Sequence, residues 1–131
     1  MSITKLNNFG KLAISVFALP RNTNSQHSIF GGWLLENSDL AGLVQCKQHS
    51  PGRYVTIAID KMKFIKPVDV GDLVQFYTKI EKVGNTSITI KITTTTDHLD
   101  GMGEYIVTSG LFTFVKMDSS GNKIAIQPRS N

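Results

Sequence analysis

From Trp33 to Cys46 the chain reads Trp-Leu-Leu-Glu-Asn-Ser-Asp-Leu-Ala-Gly-Leu-Val-Gln-Cys. No proline interrupts it, and it is long enough for a helix rather than a strand. At roughly 100° per residue, Leu35 and Leu43 fall on one side, Leu40 and Val44 on another, Leu34 and Ala41 on a third. A helix apolar on nearly every side is surrounded by protein, so the remainder of the chain must wrap around it. The remainder is suited to that. Ile, Val and Thr together supply 34 of 131 residues, and β-branched side chains fit a pleated surface better than a helix.

The wrapping strands can be placed in order. Residues 11–19 read as a buried first strand closed by Pro20, and 21–28 as a polar loop. After the helix, Pro51-Gly52 turns the chain into a strand at Arg53–Asp60. Phe64–Asp72 is a bend through Pro67 and Gly71. In the strand at 73–83, Val74, Phe76, Thr78 and Ile80 share one face while Gln75, Tyr77, Lys79 and Glu81 share the other. Gly84-Asn85 is a hairpin turn. Ile88, Ile90 and Ile92 mark a fourth strand, 97–103 a second hairpin loop, and about 104–116 a last strand apolar on both faces. One strand, a central helix and four more strands make an α+β fold, an antiparallel five-stranded sheet around a helix. One domain accounts for the whole length. Such a small sheet cannot cover so apolar a helix, so a dimer or larger assembly is expected.

Several function classes drop out. The net charge of +4 is mild and its lysines are scattered, with only Lys61, Lys63 and Lys66 loosely clustered. Nucleic-acid binders concentrate such charge on one face and interleave aromatics. No apolar run reaches the roughly 18–20 residues of a membrane span. Leu12–Leu19 resembles a short signal segment only superficially, since Ser15 interrupts it and no cleavage site follows. The single Cys46 permits no internal disulfide and reads as a core residue, consistent with a reducing, cytoplasmic location. His27, His49 and His98 are too scattered for a metal site, and no phosphate-cradling glycine loop is present.

Asp39 is the residue out of place. It lies mid-helix, where aspartate has poor propensity, and Leu35 and Leu43 flank it on its own stripe. A buried carboxylate costs several kcal/mol unless it is bonded, and no Arg or Lys lies within a turn. Either Glu36 and Asp39 form a solvated stripe, or Asp39 is pushed into a cleft as a base or nucleophile. Gly31-Gly32 opens the same helix. Paired glycines there either pack closely or expose N–H groups that can hold an oxyanion. The loop Asn22–Ser28 brings amides, hydroxyls and one imidazole towards that helix start.

Taken together, these residues resemble the hotdog-fold acyl-CoA thioesterases, the YciA-like branch in particular. The blocks carrying the likeness are Asn22-Thr-Asn24, Ile29-Phe-Gly-Gly-Trp33, Asp39-Leu-Ala-Gly42, Val55–Asp60, Phe64–Asp72 and Gly84–Ile88, and it runs from about residue 11 to 128. The resemblance implies hydrolysis of acyl-CoA, with coenzyme A as part of substrate and product and no separate cofactor. It implies a homodimer, often three such dimers together, with the site at the dimer interface. Asp39 matches the catalytic carboxylate, as base or as nucleophile, and Gly31 and Gly32 match the backbone receiving the thioester oxygen. Thr56 matches the strand lining the acyl and pantetheine path. Gly84, Thr86 and Ser87 match the turn near the nucleotide end.

The chain departs from that pattern in three places. Asn22 stands where relatives commonly carry Asp, and His27-Ser28 where they carry Gly-Asp or Gly-Asn. Orientation of water or thioester then falls to the Ser28 hydroxyl or to Asn24. Thr93–Thr96 and Asp97 replace basic residues, leaving no cation there for a phosphate. Two alternatives share the fold. An acyl-CoA-binding regulator without hydrolysis would explain the altered 27–28 pair but not the retained Asp39. An enoyl-CoA hydratase of the MaoC type is echoed by Asn22–His27, but lacks the carboxylate it needs.

Overall fold

The computed structural model describes residues 8–26, 28–97 and 103–127, so His27, His98 and most of the loop expected at 97–103 lie outside the described residues. The elements are β1 (Lys11–Phe17), α1 (Gly31–His49), β2 (Arg53–Phe64), β3 (Leu73–Val83), β4 (Ser87–Thr96) and β5 (Tyr105–Met117). All five strands form one antiparallel sheet in the order β1-β3-β4-β5-β2. α1 packs across the concave face and touches every strand. The α+β hotdog arrangement expected from the sequence is the one observed.

β1 is shorter and less buried than expected. It ends at Phe17, which is exposed, because it is an edge strand paired only with β3. Ala18 then leaves the ladder: its N–H donates to Asp72 O (3.0 Å) and its carbonyl accepts from Gly71 N (2.8 Å). This clamps the chain onto the bend before β3. Tyr77, on the same face of β3 as Gln75, Lys79 and Glu81, differs from Lys79 and Glu81 in its burial. It is buried under the Phe9 ring, with centroids 5.4 Å apart, and its hydroxyl reaches Glu104 at 3.3 Å. In β5, a register shift opposite Thr94/Thr95 turns Val107 towards the helix beside Phe76 and Leu34. One bulged residue thus changes which side chains share a face, as bulges do. Thr93–Thr96 are all buried.

The helix is three residues longer at its C-terminus than the apolar run suggested and begins at Gly31 itself. Its buried positions are Leu34, Ser38, Ala41, Gly42, Gln45 and Cys46, whereas Leu40 is exposed and Leu35 and Leu43 are half-buried. The side facing the sheet is therefore smaller and more polar than the leucine positions suggested, and the exposed Leu40 is apolar surface that the single sheet leaves uncovered. Ser38 Oγ donates to Leu34 O at 2.8 Å, and Gln45 Oε1 accepts from Thr78 Oγ1 at 3.0 Å, so these polar groups are satisfied. Leu34 enters the core, Leu35 and Leu43 flank the contact, and Phe112 and Phe114 from β5 fill the space between them.

Gly42 shows how close the approach is. A Cβ added there would stand 2.3 Å from Phe114 Cζ and 3.0 Å from Ile92 Cδ1. Alanine would gain up to about 1 kcal/mol of helix propensity, but Phe114 is fully buried and overpacking costs about 1–3 kcal/mol. The clash wins. Gly42→Ala is expected to lower the thermal midpoint by several degrees in a melting experiment; an unchanged or raised midpoint would show that the Phe114 ring can give way.

Candidate functional site

Asp39 projects from the middle of α1 towards β2, partly buried. Its Oδ1 accepts a 2.5 Å hydrogen bond from Thr56 Oγ1. The register makes this contact. Thr56 lies opposite Phe114 and faces the helix, and a bulge at Ile57 then turns Ala58 to the outer face opposite Thr113. Glu36, one turn earlier, is exposed, so the two acids do not form one solvated stripe. About two turns further along the helix, Cys46 is fully buried, and burial first, then the negative charge of Asp39, pushes its thiol up to about 12. Cys46 is thus a protonated core side chain and no nucleophile.

The start of α1 forms a second cluster. Phe30 caps the helix, and the first helix-closing donors are Trp33 N and Leu34 N, both to Phe30 O. The N–H groups of Gly31 and Gly32 come before those bonds, and among the described residues they have no backbone acceptor. Gly32 is open on its Cα side, whereas a Cβ at Gly31 would meet the Phe64 ring at 3.3 Å. The preceding loop is tied to this point. Phe30 N donates to Asn22 O (2.9 Å) and Ile29 N to Val68 O (3.1 Å). Asn24 Oδ1 accepts from Gln26 N (2.8 Å) and Ser28 N (3.2 Å), and Asn24 N donates to Ser28 O (2.7 Å). The Asn24 carbonyl thereby shapes its own loop, leaving its amide NH2 and the Ser28 hydroxyl as the groups available to a ligand.

The third group sits at the β3–β4 turn. Gly84 N donates to Ser87 O (2.7 Å) and Thr86 O accepts from Lys116 N (2.9 Å). Ile88, just after the turn, pairs with Phe114, which pairs with Thr56. The turn therefore lies level with Thr56, two strands across, roughly 10 Å at the usual strand spacing. The structure thus brings Asp39 and Thr56 into contact, collects Asn24, Ser28, Gly31 and Gly32 at the helix start, and sets Gly84, Thr86 and Ser87 apart from both.

The Thr56–Asp39 bond was not anticipated from sequence, which placed Thr56 on a substrate path. Its signal was the inward register of Thr56 on the first strand after the helix, invisible without knowing where the bulge falls. The bond holds the carboxylate in one orientation and offsets part of its desolvation; hydrogen bonds to charged groups contribute about 1.5–3 kcal/mol. Thr56→Val removes only the donor. Turnover is expected to fall about tenfold or more with KM little changed, and Thr56→Ser to restore most of it. A valine variant with full turnover would show that the bond does not serve the reaction.

The profile of the Thioesterase superfamily matches residues 26–100. The Escherichia coli acyl-CoA thioester hydrolase YciA is 35% identical over 120 residues, covering 89% of this chain and 91% of its own. A hexameric broad-specificity acyl-coenzyme A thioesterase, solved as a variant with one aspartate changed to alanine, superposes with a TM-score of 0.87 at 39% identity, covering 93% of this chain and 89% of its own. The hexameric hotdog-fold thioesterase of Campylobacter jejuni gives a TM-score of 0.85 at 39% identity, covering 92% of each chain.

Proposed function

This chain belongs to the thioesterase superfamily, alongside the YciA acyl-CoA thioester hydrolases, and we propose that it hydrolyses acyl-CoA at a site shared between two protomers, with Asp39 supplying the nucleophile and the α1 start holding the oxyanion. The observation that carries this reading is the carboxylate of Asp39, partly buried and fixed by Thr56 at 2.5 Å in an enzyme of this family.

The reaction breaks the C–S bond of the thioester and forms a C–O bond. Asp39 acts either as a base on water or by direct attack on the carbonyl carbon; in the first route it takes the water proton that ends on the departing sulfur, and in the second the thiolate leaves an acyl-Asp39 anhydride that water then opens, giving the free acid, the regenerated carboxylate and the proton for the thiolate. As the carbonyl becomes tetrahedral, its oxygen gains charge. The free N–H groups of Gly31 and Gly32, at the positive end of the α1 dipole, are suited to receive it. The Ser28 hydroxyl and the Asn24 amide, on the loop that leads into α1, are assigned the orientation of water or thioester.

One chain cannot easily do both jobs. Gly31 and Asp39 are eight residues apart, which puts about 12 Å of helix between them at 1.5 Å per residue. A single carbonyl in contact with both would have to span that gap. A homodimer removes the difficulty by placing the helix start of one chain opposite the carboxylate of the other. The edge strand β2, which carries Thr56, also carries Ile57, Ile59 and Phe64, all exposed in the single chain, a surface suited to such pairing. Three such dimers would make a hexamer. The β3–β4 turn, Gly84 with Thr86 and Ser87, is level with the site and takes the nucleotide end of coenzyme A. No helix among the described residues is long and apolar enough to cross a membrane; the location proposed for the enzyme is the cytoplasm.

The hydratase alternative weakens further on geometry. Asn22, where that chemistry needs a carboxylate, uses its side-chain oxygen to accept from Leu19 N at 2.9 Å. Thiol release from a panel of acyl-CoAs tests the proposal. Free thiol is the expected product, while a hydrated thioester or binding without turnover would contradict it.

A further inference from the structure

Where β1 starts beside the last turns of α1, the structure has a cavity of about 490 Å³. It lies away from Asp39. Asp39 meets β2 through Thr56, whereas Gln45 meets β3 through Thr78, and β4 and β5 stand between those two strands. Three strand steps put roughly 14 Å between the contacts. We infer that this cavity binds a phosphate group, free or as the monoester of a small polar molecule, held by Lys11, His49 and the Gln45 amide. The inference does not depend on the thioesterase reading, whose site it does not share.

The floor is polar and ordered. Gln45 and Thr78 are each more than nine-tenths buried, and Gln45 Oε1 accepts from Thr78 Oγ1 at 3.0 Å. With that oxygen engaged, what Gln45 offers a ligand is its two amide N–H bonds. His49, the last residue of α1, also lines the cavity, and its Nε2 is buried with no hydrogen-bond partner among the described residues. An unpaired buried polar atom destabilises the fold, and a ligand oxygen would offset that cost. Lys11 supplies the third group. It pairs with Thr78 across β1 and β3, and directly opposite residues share a face, so Lys11 stands on the side of α1. Lys79, next along β3, faces the other way and comes near only through its stem: a Cβ at Gly10 would stand 3.0 Å from Lys79 Cβ. Gly10 itself, at φ +99°, lies so close to β3 that such a Cβ would be 2.1 Å from Thr78 O. That contact presses the start of β1 against β3 and walls the cavity.

The lining selects an anion. Among the described residues every titratable side chain around the cavity is basic. The C-terminal end of a helix carries partial negative charge, so an anion beside the end of α1 needs a full cation, and Lys11 provides it. A phosphate monoester carries close to two negative charges near neutral pH and three strong acceptor oxygens. An ammonium, an imidazole N–H and an amide NH2 match those three oxygens. At roughly 30 Å³ per water-sized group the cavity has space for about sixteen such groups, enough for the phosphate and a small organic body.

The test follows the imidazole nitrogens of the full-length, ¹⁵N-labelled protein by NMR. Potassium phosphate, glycerol 3-phosphate, glycerol and potassium acetate are titrated separately at constant pH and ionic strength, and His49→Gln identifies which of the three histidines gives the His49 signal. Phosphate and glycerol 3-phosphate are expected to shift the His49 Nε2 resonance saturably, while glycerol and acetate leave it in place. Lys11→Met should weaken phosphate binding about tenfold or more, and Lys79→Met, with the same change in net charge, should bind as the parent does. Tighter binding of glycerol 3-phosphate than of phosphate assigns an organic monoester as the ligand, and the reverse order assigns free phosphate. Saturation with dephospho-coenzyme A, which has no phosphate monoester, should leave the His49 shift unaltered. Three results would each overturn the inference: no saturable shift, equal weakening by Lys11→Met and Lys79→Met, or displacement of phosphate by dephospho-coenzyme A.

Discussion

Asp39→Asn should leave a protein that folds, assembles and binds acyl-CoA, yet releases thiol at least about a hundredfold more slowly than the parent, the order expected for loss of a general base. Asparagine has almost the same size, and its side-chain oxygen can still accept from Thr56 Oγ1, which now bonds Asp39 at 2.5 Å. Packing against β2 is therefore preserved, and only the charge and basicity are lost. Since Asp39 is just partly buried in the single chain, removing its charge also relieves rather than creates a desolvation cost. Stability should not fall. Thiol release under saturating substrate, with binding measured separately, distinguishes a chemical defect from a structural one. Turnover within a few-fold of the parent would sink the assignment of Asp39.

Gly31→Pro should be nearly as damaging, for a different reason. Gly31 is the first helical residue of α1, the position where proline is best tolerated because its N–H has no partner within the helix. The residue before it, Phe30, already sits at φ −57° and ψ 132°, the extended conformation that a following proline demands. Proline thus keeps the helix and deletes one donor. Losing an oxyanion donor typically costs about 10²–10³ in kcat. The ring must also share space with Phe64, so the control is Gly31→Ala, which keeps the N–H and adds a similar contact near 3.3 Å. If alanine is as slow as proline, crowding rather than the missing donor is responsible.

Much of this architecture was legible in the residues. Periodicity separated the helix from the strands, the isoleucines at 88, 90 and 92 lie fully inside, and Asp39 stood out because an acid in such a segment requires a reason. The packing face of the helix was not legible. Leucine positions suggested enclosure on every side, but the contact uses Ala41 and Gly42, because the volume is supplied by Phe112 and Phe114 on a distant strand. Small residues signal close approach only once the partner is known. Bulges were equally hidden: those at Ile57 and Val107 decide that Thr56 meets Asp39 and that Val107 joins the core, and no local alternation reports them. The burial of Tyr77 depended on Phe9, which lies outside every strand. In each case the missing information is a contact between segments far apart in sequence.

The central claim is that one thioester is handled by Asp39 of one protomer and the helix start of another, and mixing two inactive variants tests it most directly. Asp39→Asn and Gly31→Pro protomers, differently tagged, are unfolded together, refolded at equal amounts and assayed for thiol release. In a shared site, every mixed pair contains one intact site, with Asp39 from one chain and Gly31 from the other. Random pairing of two protomers then restores about a quarter of the parental activity. Sites built from a single chain would stay dead in every mixture, and activity no greater than the two variants measured alone would contradict the shared site.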